Sequence, residues 1–450
     1  MGISTAHSQI QADSLSPTVI WRASATSIKP ALGGIVLTVL FSLLCCREYN
    51  SVDGTSFFLY SDAGAGFRWV DLLLLGIIYP HLLWVLMTRR RLTSAPNAIM
   101  RPALLFFVAI AIAFMQGLYQ EGSHLYFDWR NIVLGIGLAG IYVFWIQTPS
   151  DLRRAVKLLA LIMGIRILYL LANYTLGRGT EGGVPGLRTP IYDGPTLNAA
   201  VFIVLLAFCY TRVQSLTVLH RSIWTFVGLS AFMLTLLSFR RTAWAEVVVG
   251  VLLLLLLTTR MRLATFAFLL LISIGTALIA NEQLYLRIQS FNPFTSNTSA
   301  YTTTNEDHVG DVLDALDHVK ENPVLGIGLG RPYTTKRIRE WKTESWEVHN
   351  ALIHVWLFYG MLGLIAYLWF HVGLFRWLNR VRSKHPDAHV QAFCQAGLAW
   401  IVGQFAITCG FAPWPYGALQ TNVIAFFIIG GALSMQRGLM WSKQTNWRPN

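Results

Sequence analysis

The chain has 450 residues and a net charge of +13; 54% of its residues are hydrophobic and only 13% are charged. Ordinary soluble domains carry about 25% charged residues, so this composition excludes a water-soluble globular enzyme. The absence of alternating ten-residue segments excludes a transmembrane barrel, leaving an all-α polytopic membrane protein.

In chain order, residues 1–29 are polar with scattered basic groups and lack the apolar centre and small-residue cleavage site of a signal peptide, so they are expected to form a cytoplasmic tail. Apolar runs follow at 30–46, 69–88, 102–118, 132–147, 158–176, 195–213, 222–238, 244–259 and 263–280. After a polar stretch they resume at 350–370, 390–411 and 417–435. Each is close to the roughly 20 residues that cross the hydrocarbon as a helix. About twelve transmembrane helices are therefore expected, nine in 30–280 and three in 350–435, with a loop domain at 281–349 and a second cytoplasmic tail at 436–450.

With the N-terminus inside, the inner segments carry twenty Lys and Arg, among them Arg89, Arg90, Arg91, Arg153, Arg154, Arg380 and Arg382. The short outer segments carry seven: Arg47, Arg68, Arg130, Arg178, Arg188, Arg240 and Arg241. The positive-inside rule then puts both termini in the cytoplasm and the 281–349 loop outside. The same placement explains the basic charge as topology, and no nucleic-acid partner is expected. Cys45, Cys46, Cys209, Cys394 and Cys409 all fall in apolar runs without metal-ligand spacing, so they read as small hydrophobes and no metal site is expected.

Within the loop, 311–321 places Val312, Ala315, Leu316 and Val319 at helical spacing, and Asn322-Pro323 stops that helix. Gly326, Gly328 and Gly330 alternate through a turn that lacks the Lys-Ser/Thr of a phosphate loop, which argues against ATP or a dinucleotide. These glycines read as a tight return of the backbone towards the membrane, close to a ligand. Residues 334–347, with Trp341 and Trp346, suit a helix or strand at the membrane interface.

An enzyme on the outer face lacks nucleotide sugars and needs a substrate carrying its own leaving group, as lipid-linked pyrophosphates do. Arginine suits such a group because its planar fork pairs with phosphate oxygens and stays charged. Arg178, Arg188, Arg240, Arg241, Arg287 and Arg331 are the outer candidates. The Arg240-Arg241 pair serves equally as phosphate ligand or as arginines snorkelling to headgroups, and Arg188 equally as ligand or loop charge. His349 opens the span that follows the loop, where a helix N-terminus disfavours added positive charge; this suits a neutral imidazole to general-base work, and a helix-start histidine bonded to lipid or loop fits as well. His81, His354 and His371 look interfacial or packed. Arg166 and Glu246 lie inside spans, as functional groups or as a structural ion pair.

Three segments resemble one family. Ser-Phe-Arg-Arg-Thr-Ala-Trp at 238–244, Glu-Asn-Pro-Val-Leu-Gly-Ile-Gly-Leu-Gly at 321–330, and His349-Asn350 followed by Tyr-Gly-Met-Leu-Gly-Leu at 359–364 are similar, in order and topology, to the O-antigen ligase and polymerase superfamily of bacterial envelope glycosyltransferases. Arg241 falls on the family arginine. The family's arginine at the start of the loop helix is replaced here by His308, and Arg287 or Arg331 is the candidate substitute for its charge.

The resemblance implies a GT-C-like glycosyltransferase of the bacterial inner membrane, working at the periplasmic face without cofactor or metal, as a monomer. It implies an undecaprenyl pyrophosphate-linked glycan as donor, lipid A-core as acceptor, membrane lipids as surroundings, and inversion at the anomeric carbon. On it His349 deprotonates the acceptor, Arg188 and Arg241 bind the pyrophosphate, and Arg240, Arg287, Arg331, His308, Asn350, Gly326 and Gly328 complete the substrate site. Ligation to lipid A-core is favoured because the chain is compact, with one large outer loop and no C-terminal soluble domain; the polymerase and protein O-oligosaccharyltransferase activities of the superfamily remain alternatives. A secondary transporter or lipid flippase is the reading from another class, in which Arg166 and Glu246 matter more than His349.

Overall fold

The computed structural model describes residues 62–64, 67–68, 76, 79–80, 83, 97–120, 122, 125–146, 148–176, 180–181, 188–189, 195–210, 217–238, 240–258, 300–335, 344–345, 348–407 and 424–435. The expected spans at 30–46 and 263–280, most of 69–88, both tails and Arg287 lie outside the described residues.

A small hairpin pairs β1 (Asp62–Gly64) with β2 (Phe67–Arg68). Helices α1 (Asn97–Tyr119), α2 (Leu125–Trp145) and α3 (Pro149–Thr175) follow, then β3 (Thr180–Glu181) paired antiparallel with β4 (Arg188–Thr189). Next come α4 (Pro195–Tyr210), α5 (Val218–Leu237), α6 (Arg241–Thr258) and the loop helix α7 (Ala300–Glu321). The hairpin of β5 (Tyr333–Thr334) and β6 (Glu344–Ser345), then α8 (Ala351–Lys384), α9 (Ala388–Ile407) and α10 (Ile424–Met435) complete the described chain. Four of these helices, α1, α3, α5 and α8, are long and apolar enough to cross a membrane, and the protein is a mostly helical membrane protein.

Helix α4 is the centre of the bundle. Its side chains from Asn198 to Cys209 are buried on every face, as expected of a helix that is apolar all round, and α5, α6 and α9 pack around it. Two buried polar contacts tie these helices together. Arg166 on α3 donates to Asn198 on α4 at 3.0 Å, and Gln404 on α9 donates to Glu246 on α6 at 2.7 Å. Such bonds join helices where lipid offers no alternative partner. Arg166 and Glu246, which the sequence left open as functional groups or as a structural ion pair, each meet a side-chain amide on a neighbouring helix. His354 and His371 are buried, as are Cys209 and Cys394, whose thiols are free.

Several helices run past the apolar windows that reveal them. Helix α3 starts at a capping box, in which the Thr148 hydroxyl accepts from the Asp151 amide and the Asp151 carboxylate accepts from the Thr148 amide. Helix α8 continues beyond Phe370 through Arg376, Arg380 and Arg382 to Lys384. Between α5 and α6 the chain turns in only three residues. The Ser238 hydroxyl accepts from the Arg240 amide, and the Trp244 indole N–H donates to the Thr235 carbonyl at 3.1 Å, closing the turn.

Candidate functional site

The loop is fastened to the bundle by a break in α8. Gly360 sits at φ 66°, a left-handed conformation inside a helix, so the Met361 amide turns out of the helical ladder. That amide donates to the Pro323 and Val324 carbonyls, each at 3.1 Å, while the Leu357 carbonyl it leaves accepts from the Ile327 amide at 2.7 Å. The turn is pinned on its other side by the Leu329 amide, which donates to the Ala113 carbonyl of α1 at 2.9 Å. The Trp356 indole N–H donates to the Pro323 carbonyl at 2.9 Å. The 322–330 turn is therefore a backbone wedge between α1 and α8.

Glycine is required in the wedge for two reasons. Gly326, Gly328 and Gly330 have φ of 75°, 88° and 72°, where a side chain is strained. A Cβ on Gly326 would also lie 2.5 Å from the Leu357 carbonyl oxygen, and one on Gly328 2.8 Å from the Gln116 Cβ. These glycines act through backbone packing onto two helices.

Helix α7 enters the wedge at Asn322 and lies against the first turns of α8. Its buried stripe is Asp311, Asp314, Ala315 and Val319, while Val309 and Leu313 are exposed. Of the predicted stripe, Ala315 and Val319 are buried and Val312 and Leu316 half-buried, and two aspartates, Asp311 and Asp314, share the buried face.

Asp311, 1% exposed, receives donors from three directions. Its Oδ2 accepts from the His349 backbone N–H at 2.8 Å and is 2.9 Å from the His349 ring Nδ1. Its Oδ1 accepts from the buried Tyr333 hydroxyl. Burial alone would raise the Asp311 carboxyl, but the bonds from the His349 ring, Tyr333 and the His349 amide outweigh it and hold it below the ordinary carboxylate value. The group is an anion that can only accept, so the proton shared with His349 resides on Nδ1. Burial together with the Asp311 charge pushes the Tyr333 phenol upward, which keeps it a donor.

His349 immediately precedes Asn350, the N-cap of α8, whose Oδ1 accepts from the Leu352 and Ile353 amides at 3.0 and 3.1 Å. Asn350, expected at the substrate, thus has its oxygen engaged in the cap. The His349 side chain is 43% exposed although its partner is buried. One turn further on, the His354 Nδ1 accepts from the Val348 amide at 3.3 Å, bracing the same corner from beneath.

The structure brings His349 together with Asp311 and Tyr333, and Gly326 and Gly328 together with α1 and α8. Arg331 folds back on the wedge, its guanidinium 3.4 Å from the Ile327 carbonyl. Arg240 lies partly exposed in the α5–α6 turn and Arg241 is the first residue of α6. Arg188 lies on β4 opposite Glu181, and His308 lies in α7. The side chains of Arg188, Arg241 and His308 lie outside what is described. Among the described residues no group of three or more His, Cys, Asp and Glu is placed to hold a metal. Sequence reading missed Asp311 and Tyr333. For Asp311 a signal existed, since it stands four and eight residues before the stripe positions Ala315 and Val319.

Comparison with curated proteins gives no match. A family model described as O-antigen ligase matches residues 225–368, about a third of the chain. The matched segment runs from α5 through the loop and the wedge into α8, and so contains Asp311, Tyr333 and His349. Over that segment the chain is similar to the O-antigen ligase family.

Proposed function

We propose that the protein is an O-antigen ligase, which moves a glycan from undecaprenyl pyrophosphate to lipid A-core at the periplasmic face of the bacterial inner membrane. The observation that carries the reading is the His349 ring, oriented through Nδ1 by a buried anion and partly exposed at the start of a membrane-spanning helix. With the proton on Nδ1, the basic lone pair lies on Nε2.

In the reaction Nε2 takes the proton of an acceptor hydroxyl as its oxygen forms a bond to the anomeric carbon. The bond from that carbon to the pyrophosphate oxygen breaks, and its electron pair leaves with undecaprenyl pyrophosphate. Attack opposite the leaving group inverts the anomeric configuration. The departing pyrophosphate gains charge, which Arg188 and Arg241, with Arg240, Arg331 and Arg287 as further candidates, would stabilise as preorganised cations. His308, at the position of the family arginine, is included in the proposed donor site. About twelve spans in a GT-C-like arrangement, cytoplasmic termini, no metal requirement and a monomeric state complete the proposal.

Purified protein is given undecaprenyl pyrophosphate-linked O-antigen and lipid A-core with EDTA present, and wild type is compared with His349→Ala. Transfer to lipid A-core by wild type and its loss in a folded H349A protein are expected. Elongation of the donor glycan without use of lipid A-core would make the protein a polymerase, and transfer to a protein hydroxyl an oligosaccharyltransferase. Full activity in H349A would remove the histidine from the chemistry, and no product of any kind would overturn glycosyl transfer and turn attention to Arg166 and Glu246.

A further inference from the structure

We propose that Asp311 is the positioning residue of the His349 base, with the Tyr333 hydroxyl as its brace, so that the loop helix α7 supplies part of the catalytic apparatus. The inference rests on the reading of His349 as general base. Its starting point is that one carboxylate oxygen holds both the main-chain N–H and the ring Nδ1 of the same residue, at 2.8 and 2.9 Å. Two bonds from one atom fix the ring's rotation as well as its position. The second oxygen is held by Tyr333, from a different element, so the carboxylate cannot swing away from the ring.

This geometry has a chemical consequence that a simple fastener would lack. An ionised carboxylate accepts only, which confines the neutral imidazole to the tautomer with Nδ1 protonated and Nε2 basic. When Nε2 takes the acceptor's proton, the imidazolium forms next to a buried negative charge, whose effect is little screened by water. The arrangement follows the logic by which an aspartate orients the histidine of a hydrolase triad. Here the aspartate comes from α7, thirty-eight residues before the histidine.

Asp311→Asn separates charge from fastening. The amide oxygen can take the place of Oδ2 and accept both His349 bonds, and the amide nitrogen can donate to the Tyr333 oxygen. We expect D311N to fold, with a slightly lower melting temperature from the lost charge, and to keep its KM for donor and acceptor, while kcat falls about 10²-fold. In H349A the same change should cost nothing further, because the two residues act as one unit. Nitrogen-15 spectra of histidine-labelled wild type, with His349 assigned by its loss in H349A, should show the Nδ1-protonated tautomer.

A folded D311N protein with wild-type kcat, against an inactive H349A, would overturn the inference and leave His349 as base. Activity in H349A equal to wild type would instead overturn the base reading itself. If D311N fails to fold, Tyr333→Phe provides the second test. Loosening the carboxylate should lower kcat at unchanged KM, and an unchanged kcat there would also overturn the inference.

Discussion

Two regions of this molecule bury a carboxylate, and they use it differently. Glu246, inside the bundle, is met by the Gln404 amide and lies wholly out of solvent. Its second oxygen has no hydrogen-bond partner among the described residues. Asp311, in the loop, has both oxygens occupied, and one of its donors is a ring that is 43% exposed. The first arrangement is closed, joining two helices and ending there. The second leads from a buried anion to an accessible, titratable group, which is what proton transfer to an outside molecule requires.

The sharpest test of this contrast is His349→Ala, expected to lower transfer about 10²- to 10⁴-fold with only a modest fall in melting temperature, since the main-chain amide of residue 349 and the Tyr333 hydroxyl still hold Asp311. A comparable loss in a folded Glu246→Gln protein would erase the distinction. Next in size is Gly326→Val, which places a branched side chain at positive φ against the Leu357 carbonyl. It should destabilise the protein by about 2–4 kcal/mol in a denaturation assay and lower activity in proportion to the folded fraction or more.

For Glu246, alanine should cost about 1–3 kcal/mol because it leaves the buried Gln404 amide unpaired, whereas glutamine keeps an acceptor and should cost little. Acid is a gentler probe of the loop. Because Asp311 is held below its ordinary value of 3.8, its bonds contribute fully to stability above that pH. Their contribution is lost as pH falls through the lower folded value. Hydrogen exchange of the α7 amides should therefore quicken below about pH 4 in wild type and show no such acid-dependent step in D311N. The smallest effect is expected at Lys320→Ala, which removes an exposed pair with Asp317 on the same helix and should shift stability by less than about 0.5 kcal/mol.

Much of the scaffold is legible from hydropathy because a membrane selects for apolar length. The ends of the helices are not, since they are set by polar atoms. The Thr148–Asp151 capping box starts α3 well before its apolar centre, and α7 begins at Ala300 through residues that carry no apolar stripe. At the site, His349 and the alternating glycines stand out because each has a local signature, a helix start and a turn. Asp311 is legible only to a reader who asks why an acid lies on the buried stripe of an amphipathic helix. Tyr333 has no local signal at all: its partner is twenty-two residues away and is brought near only by the α7 turn and the β5–β6 hairpin. On α7 the apolar spacing finds Ala315 and Val319 in the core but gives no hint that Asp311 and Asp314 are buried beside them.

The discontinuity at Gly360 divides α8 into a membrane rod and a short arm that carries His349 at its tip, roughly 15 Å from the break at 1.5 Å per residue. Over that length a 10° change of bend would displace the imidazole by about 2.5 Å, and a misplacement of 1 Å can cost about 10²-fold in rate. The Pro323, Val324 and Ile327 backbone bonds hold the fulcrum, and Asp311 holds the far end. The aim of the reactive ring is thereby set by two fixings of a lever, one at each end, both supplied by the same stretch of loop.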